Sequence, residues 1–214
     1  DWPVNRCVGE LLVEAGAPAE RVETLHVGVR VERYAFSPKP IGTPRRLLSV
    51  CRLVEKKGLT YAIDALALLR ERHPEIDWRY DIGGDGPLLA ALQTQVEDRG
   101  LRDRVRFLGP LPHEETLRRI AEADAFLAQS VTAGDGDQEG IPGTLMEAMA
   151  LGTVAISSRH SGIPELVCHG TAGLLSEERD ATGLSENIAS IARGAIDALS
   201  LVRSARGKIK EDFD

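Results

Sequence analysis

The amino-acid sequence predicts an α/β protein, a parallel sheet with helices packed on both of its faces. Two observations predict it. From Arg45 onward, short runs rich in aliphatic and β-branched residues alternate with longer runs whose apolar residues recur at three- and four-residue spacing. Strands joined through helices of that length need crossover connections, which lay the strands parallel and the helices against both faces. The composition agrees: hydrophobic residues make up 43% of the chain and aromatic ones only 4%, so aliphatic side chains must build the core.

Each element can be read in order. Arg6 to Ala15 reads as a short helix stopped by Gly16 and Pro18, and VETLHVGV, Val22 to Val29, reads as a strand. Arg30 to Pro44, with Pro38, Pro40, Gly42 and Pro44, has neither period and reads as a linker. Residues 1–44 are thus expected to form a helix, strand and linker segment, and residues 45–214 one α/β domain. Within that domain RLLSVC (46–51) is a strand, and GLTYAIDALALLRERH (58–73) is a helix with Leu59, Ile63, Leu66 and Leu69 on one face. Strand 77–83, helix 87–100, strand 104–109 and helix 113–123 follow. Strand 125–130, helix 142–152, strand 154–158, a short strand near 172–176 and closing helices complete the pattern.

Charge and cysteine usage exclude several functions. With 33 acidic against 26 basic side chains, a net charge of −7 repels a phosphate backbone over the whole surface, so nucleic acid is not an expected partner. A small phosphorylated ligand would have to rest on a local cluster of cations and backbone N–H groups. Cys7, Cys51 and Cys168 are odd in number and widely spaced, which implies neither a disulfide framework nor a zinc site and fits a reducing cytoplasm. No apolar run is long enough to span a membrane. The absence of a starting Met and the ending KIKEDFD suggest a piece of a longer polypeptide.

Ligands of such sheets bind beyond the carboxyl ends of the strands, so the loops that follow strands should carry the chemistry. After the first strand, CRLVEKKGL puts Arg52 at the strand exit and Lys57 five positions later, beside Gly58. A guanidinium fork and a movable ammonium suit a diphosphate, although an isolated pair of this kind can equally be solvated loop charges. After the second strand, IGGDGPLL supplies Gly83, Gly84 and Gly86, permitting a tight turn and close backbone approach, with Pro87 placed at a helix's first position. Leu89 stands where a dinucleotide fingerprint would need its third glycine, so a structural turn is an equal reading.

The most informative stretch is DGDQEGIPGTLMEAMALGTVAISS. Glu139 lies in the loop before a helix and Glu147 inside it, with seven residues between them. Pro142 fits the first helical turn, so the free N–H groups around Gly140, Ile141 and Gly143 should open toward the ligand edge, where a helix start favours an anion. Two carboxylates flanking a pyrophosphate can accept hydrogen bonds from sugar and ribose hydroxyls. Asp135 and Asp137 form a D-x-D, but with no third ligand in view they read as solvated, and no metal or other cofactor is expected. His160, in the loop after a later strand, reads as a surface residue, and alternatively as one approaching phosphate or sugar. Cys51 and Cys168 read as small apolar residues.

Five motifs in register, CRLVEKKG, GGDGPL, VRFLG, EGIPGTLMEAMALGTVAISS and SGIPELV, resemble the donor-binding domain of the family-four retaining glycosyltransferases, whose two-domain architecture is called GT-B. The resemblance runs from about Val22 to Asp214 and implies a Rossmann-like sheet. It implies that Arg52 and Lys57 bind the donor's phosphates, that Glu139 contacts the transferred sugar with main-chain help from Gly140, Ile141, Pro142 and Gly143, and that Glu147 accepts from ribose hydroxyls. The backbone at Arg106, Phe107 and Leu108 would read the base, and Gly84 and Gly86 would lie along the donor. The wording around SVTAGDGDQEG is most similar to bacterial exopolysaccharide transferases, including those of colanic-acid type.

That resemblance also implies an acceptor-binding domain ahead of this chain, absent here, and a closing helix cut short. The expected parent moves a hexosyl group from a UDP- or GDP-sugar to a glycan or lipid-linked acceptor reached through that domain, with room for peripheral membrane association. Two rival readings are a nucleotide-sugar-binding module inactive by itself and a sugar-nucleotide epimerase of the same architecture.

Overall fold

The structure, a computed structural model, describes residues 2–41 and 45–214. Six strands form a single sheet: β1 Arg45–Val50, β2 Trp78–Gly83, β3 Val105–Gly109, β4 Ala125–Ala128, β5 Val154–Ser158 and β6 Leu174–Ser176. Their spatial order is β3-β2-β1-β4-β5-β6, and every neighbouring pair is parallel. Helices α1 Arg6–Glu14, α2 Leu59–Arg72, α3 Leu89–Asp98, α4 His113–Glu122, α5 Gly143–Leu151, α6 Ile163–Leu166, α7 Ala181–Ala192 and α8 Ala198–Asp212 surround it. This is the Rossmann-like arrangement.

Two apolar cores show how the faces are covered. On one, Leu47, Trp78, Tyr80, Ile82 and Ile156 pack under α2, α3 and α7; on the other, Leu48, Phe126 and Ala155 pack under α4, α5 and α8. The four helix-face residues Leu59, Ile63, Leu66 and Leu69 are all buried, as their spacing requires. Sequence pattern tracks how far each face is covered. All of β5 is buried, giving VAISS without alternation, whereas β2, equally one strand in from an edge, alternates Trp78, Tyr80 and Ile82 inward with the exposed Arg79 and half-buried Asp81.

Four expectations need correction. Val22 to Val29 is extended but belongs to no strand among the described residues. Its recorded backbone bonds are isolated, Leu25 N–H to the Pro3 carbonyl at 2.9 Å and Val29 N–H to that of Phe213 at 2.7 Å, and Leu25 and Val27 stay exposed. A β-type sequence becomes a strand only where a neighbouring edge accepts it. Pro87 stands in the turn before α3 rather than at its first position, and Pro142 caps α5 from outside rather than starting it. Cys168 is exposed, in a turn where its carbonyl accepts from the Thr171 and Ala172 amides. The linker is irregular through Ile41 apart from one 3-10 turn at Val31–Arg33; Gly42 and Pro44 lie outside the described residues.

The connections fix where a ligand can bind. The chain runs outward from β1 to β3, then returns to β4 on the other side of β1, so the loops leaving β1 and β4 diverge. That switch opens a crevice at the carboxyl ends of the strands.

Candidate functional site

The crevice is built from the loop after β1 and the start of α5. Beyond Val50 the chain makes a 3-10 turn, Glu55–Lys57, and then Gly58 at φ 59°. A Cβ on Gly58 would fall 1.6 Å from the Gln129 carbonyl oxygen, so a glycine is required and the turn carrying Lys57 is pressed against the exit of β4. Lys57 shares a small cavity with Ser130, Pro142 and Thr144. Its ammonium forms an ion pair with the Glu139 carboxylate, and the two side chains are only 18% and 16% exposed. The contact is Coulombic rather than a well-angled hydrogen bond, because the same buried Glu139 oxygen has no hydrogen-bond donor. Arg52 leaves the strand exit exposed and holds no side-chain partner among the described residues.

Helix α5 begins immediately beyond Glu139. Pro142 supplies no side-chain cap, and its carbonyl takes the Leu145 and Met146 amides. Among the described residues, the N–H groups of Gly140, Ile141, Gly143 and Thr144 have no protein acceptor. Gly143 is exposed, and a Cβ there would meet nothing within 4 Å, so the way to these amides is open. The Thr144 hydroxyl donates to the Val50 carbonyl at 3.4 Å, seating the helix start over the end of β1. One turn further in, the Glu147 carboxylate is 12% exposed, accepts from the Tyr34 hydroxyl at 3.4 Å and lies 3.8 Å from His113 Nε2. Burial raises its pKa above the ordinary carboxylate value, with the His113 charge and the Tyr34 hydrogen bond opposing.

An ammonium beside an uncapped helix start, flanked by two carboxylates, can hold an anion and hydroxyl groups together. The family model described as glycosyl transferases group 1 matches residues 31–208, most of the chain. The chain belongs to the group 1 glycosyl transferases. It is 41% identical over 213 residues to the amylovoran biosynthesis glycosyltransferase AmsK of Erwinia amylovora, covering 99% of this chain and 52% of that protein. It is also 41% identical over 216 residues to the Escherichia coli protein WcaL, named for colanic acid biosynthesis, again covering 99% of this chain and 52% of the relative. The chain thus spans about half the length of these curated relatives. Anabaena HepE, solved in complex with UDP, superimposes with a TM-score of 0.85 at 23% identity, covering 100% of this chain and 59% of that one. HepE with UDP-glucose gives 0.83 at 24%, over 100% and 59%. The GT-B sheet expected from the sequence is therefore the fold of this chain.

The remaining residues of the group 1 chain fall into place unevenly. Gly84, at φ 125°, and Gly86 would carry Cβ atoms 1.9 Å from the Cys51 carbonyl oxygen and 2.5 Å from that of Leu53, so both seat the second loop on the first. Leu108 is the extra residue of a bulge on β3, since Phe107 opposes Ile82 and Gly109 opposes Gly83, which leaves Leu108 with no residue opposite it on β2. Phe107 is half-buried against the core. The Arg106 side chain is engaged elsewhere, its guanidinium making two bonds to Asp81 of β2 at 2.8 and 2.7 Å, so only its backbone is left for the base-reading role expected of it. Asp137 is engaged by the Lys56 ammonium at 3.0 Å, and the Asp135 carboxylate accepts the Asp137 amide at 3.0 Å.

His160 overturns its sequence reading. It is 1% exposed, and its Nε2 accepts the Glu139 N–H at 2.9 Å. Its Nδ1 bonds Glu178 at 2.5 Å, and Glu178 also accepts the Thr132 N–H at 2.9 Å. Tyr34, His113 and Glu178 belong to none of the five motifs, because each comes from a part of the chain far from Glu139 and Glu147: the linker, the first residue of α4 and the turn after β6. Cys51, at the exit of β1, has its thiol pushed up to about 11 by burial, so it sits here as an inert apolar group.

Proposed function

We propose that this chain is the donor-binding half of a retaining glycosyltransferase, which moves a hexosyl group from a UDP- or GDP-sugar to a glycan or lipid-linked acceptor. One observation carries the reading: Lys57 lies against Glu139 beside four amides that have no acceptor among the described residues, at the mouth of the switch crevice. A diphosphate placed there takes the helix-start amides and the Lys57 ammonium, with Arg52 free to close over it. Glu139, released from part of its pairing, faces the sugar; Glu147 accepts the ribose hydroxyls; the bulged backbone at Leu108 offers hydrogen bonds to the base. As the glycosidic bond breaks, negative charge grows on the leaving diphosphate, and fixed donors aimed at it lower the barrier.

The chain alone is then a nucleotide-sugar-binding module, since it spans 52% of AmsK and the remainder would carry the acceptor. Three free cysteines fit a reducing cytoplasm for the parent enzyme. Among the described residues no helix is long and apolar enough to cross a membrane. A thermal-shift screen against UDP, GDP and their sugars tests the reading, because a ligand bound only by the folded chain raises its melting temperature. Silence from every nucleotide would refute it.

A further inference from the structure

The loop from Thr132 to Glu139 connects β4 to the start of α5 and carries the carboxylate that pairs with Lys57. Both of its ends are tied to one hydrogen-bonded couple, the buried His160 and the half-buried Glu178. At the first end the Thr132 amide donates to Glu178 Oε2 at 2.9 Å, and Arg179 donates to the Thr132 carbonyl. At the second the Glu139 amide donates to His160 Nε2 at 2.9 Å, and the other ring nitrogen reaches Glu178 Oε1 at 2.5 Å. An amide can only donate, so Nε2 must be the bare nitrogen and Nδ1 must carry the proton toward Glu178, an assignment made from the partners.

Two further facts single out this couple. Among the described residues the only non-glycine positions with positive φ are Ser161, at 46°, and Arg179, at 60°, the residues that directly follow His160 and Glu178. Strained backbone persists where surrounding contacts over-determine it. Burial would raise the Glu178 carboxyl, but the Thr132 amide and the His160 hydrogen bond, with the Arg179 charge nearby, outweigh it and hold the pKa below the ordinary value. The carboxylate therefore stays an acceptor toward both loop ends.

We propose that His160 and Glu178 form a latch fixing both ends of the Thr132–Glu139 loop, and that His160 is a positioning residue for the Glu139 carboxylate. The consequence for sugar binding rests on the donor reading above. Glu139 is the group proposed to face the sugar, whereas the diphosphate is held by Lys57 and the α5 amides. Loosening the latch should therefore weaken the nucleotide sugar more than the bare nucleotide.

The test is amide hydrogen exchange on the whole chain, followed by calorimetry with UDP, UDP-glucose, GDP and GDP-mannose. In His160→Ala the Glu139 amide, and also the Thr132 amide that the ring never touches, should exchange roughly tenfold faster or more, with the sheet unchanged. Glu178→Gln keeps the ring and serves if the first variant folds poorly; it should loosen the same two amides together. The preference for nucleotide sugar over nucleotide should fall by about five- to tenfold, with bare-nucleotide affinity held within about threefold. Unchanged exchange at Thr132 in either variant, or equal loss for nucleotide and nucleotide sugar in step with lowered melting temperature, would overturn the latch. If the unaltered chain binds none of the four ligands, the donor reading fails, and the exchange result alone decides whether the latch exists.

Discussion

Lys57 and Glu139 neutralise each other in the crevice, which keeps both charges in place for a ligand that would separate their roles. In the reaction proposed above, removing the ammonium takes one donor from the leaving diphosphate. Lys57→Ala in the complete enzyme should therefore lower turnover by roughly 10²–10³, measured as nucleotide release with saturating acceptor; turnover unchanged would remove Lys57 from the mechanism. Glu147 allows a test through pH. Its carboxyl is raised, so the folded chain favours the protonated form; its contribution is most favourable below the unfolded pKa and is lost as pH rises through the higher folded one. Glu147→Gln, always neutral, should melt above the parent near neutral pH, and the difference should vanish as pH falls below the ordinary glutamate value of about 4.3. The same substitution should weaken nucleotide binding, a trade of stability for ribose recognition. At this scale the motif residues were legible where chemistry and local spacing coincide, as for Lys57, Glu139 and Glu147. His160 was not, because its partners lie 18 and 21 residues away, and only the fold turns a loop histidine into a buried one.

The elements that place these residues make their own predictions. The start of α5 has no acidic cap, and open space stands in front of Gly143. Gly143→Asp should supply the missing negative charge from within, stabilising the empty chain by about 0.3–1 kcal/mol in thermal unfolding while weakening nucleotide affinity. Tighter binding in that variant would show that the amides do not face the phosphates. Gly58 is constrained from two sides, by its left-handed φ and by the Gln129 carbonyl. Gly58→Ala should cost at least about 1–2 kcal/mol in denaturant unfolding for the backbone conformation alone, before the clash is relieved; a neutral effect would mean the turn is less tightly seated than described. Helix and strand order was readable because each period follows directly from burial on one face or two. The segment Val22 to Val29 misled because β-type composition says what suits a pleated edge, not whether an edge is present.

At the scale of the molecule, the order β3-β2-β1-β4-β5-β6 places the crevice, and the crevice gathers Lys57, Glu139 and the α5 amides from positions up to 87 residues apart. The sheet and its parallel sense were legible because βα alternation admits few other solutions, whereas the face left open around Arg106 and Asp81 was not, since it depends on how far α4 reaches. The account rests on one claim, that this crevice binds a nucleotide diphosphate through Lys57 and the start of α5. Isothermal titration of the chain and of its Lys57→Ala variant with UDP and GDP tests that claim most directly. Saturable one-to-one binding by the parent, weakened tenfold or more in the variant, is the predicted result; equal affinity in the two, or no binding by the parent, would contradict it.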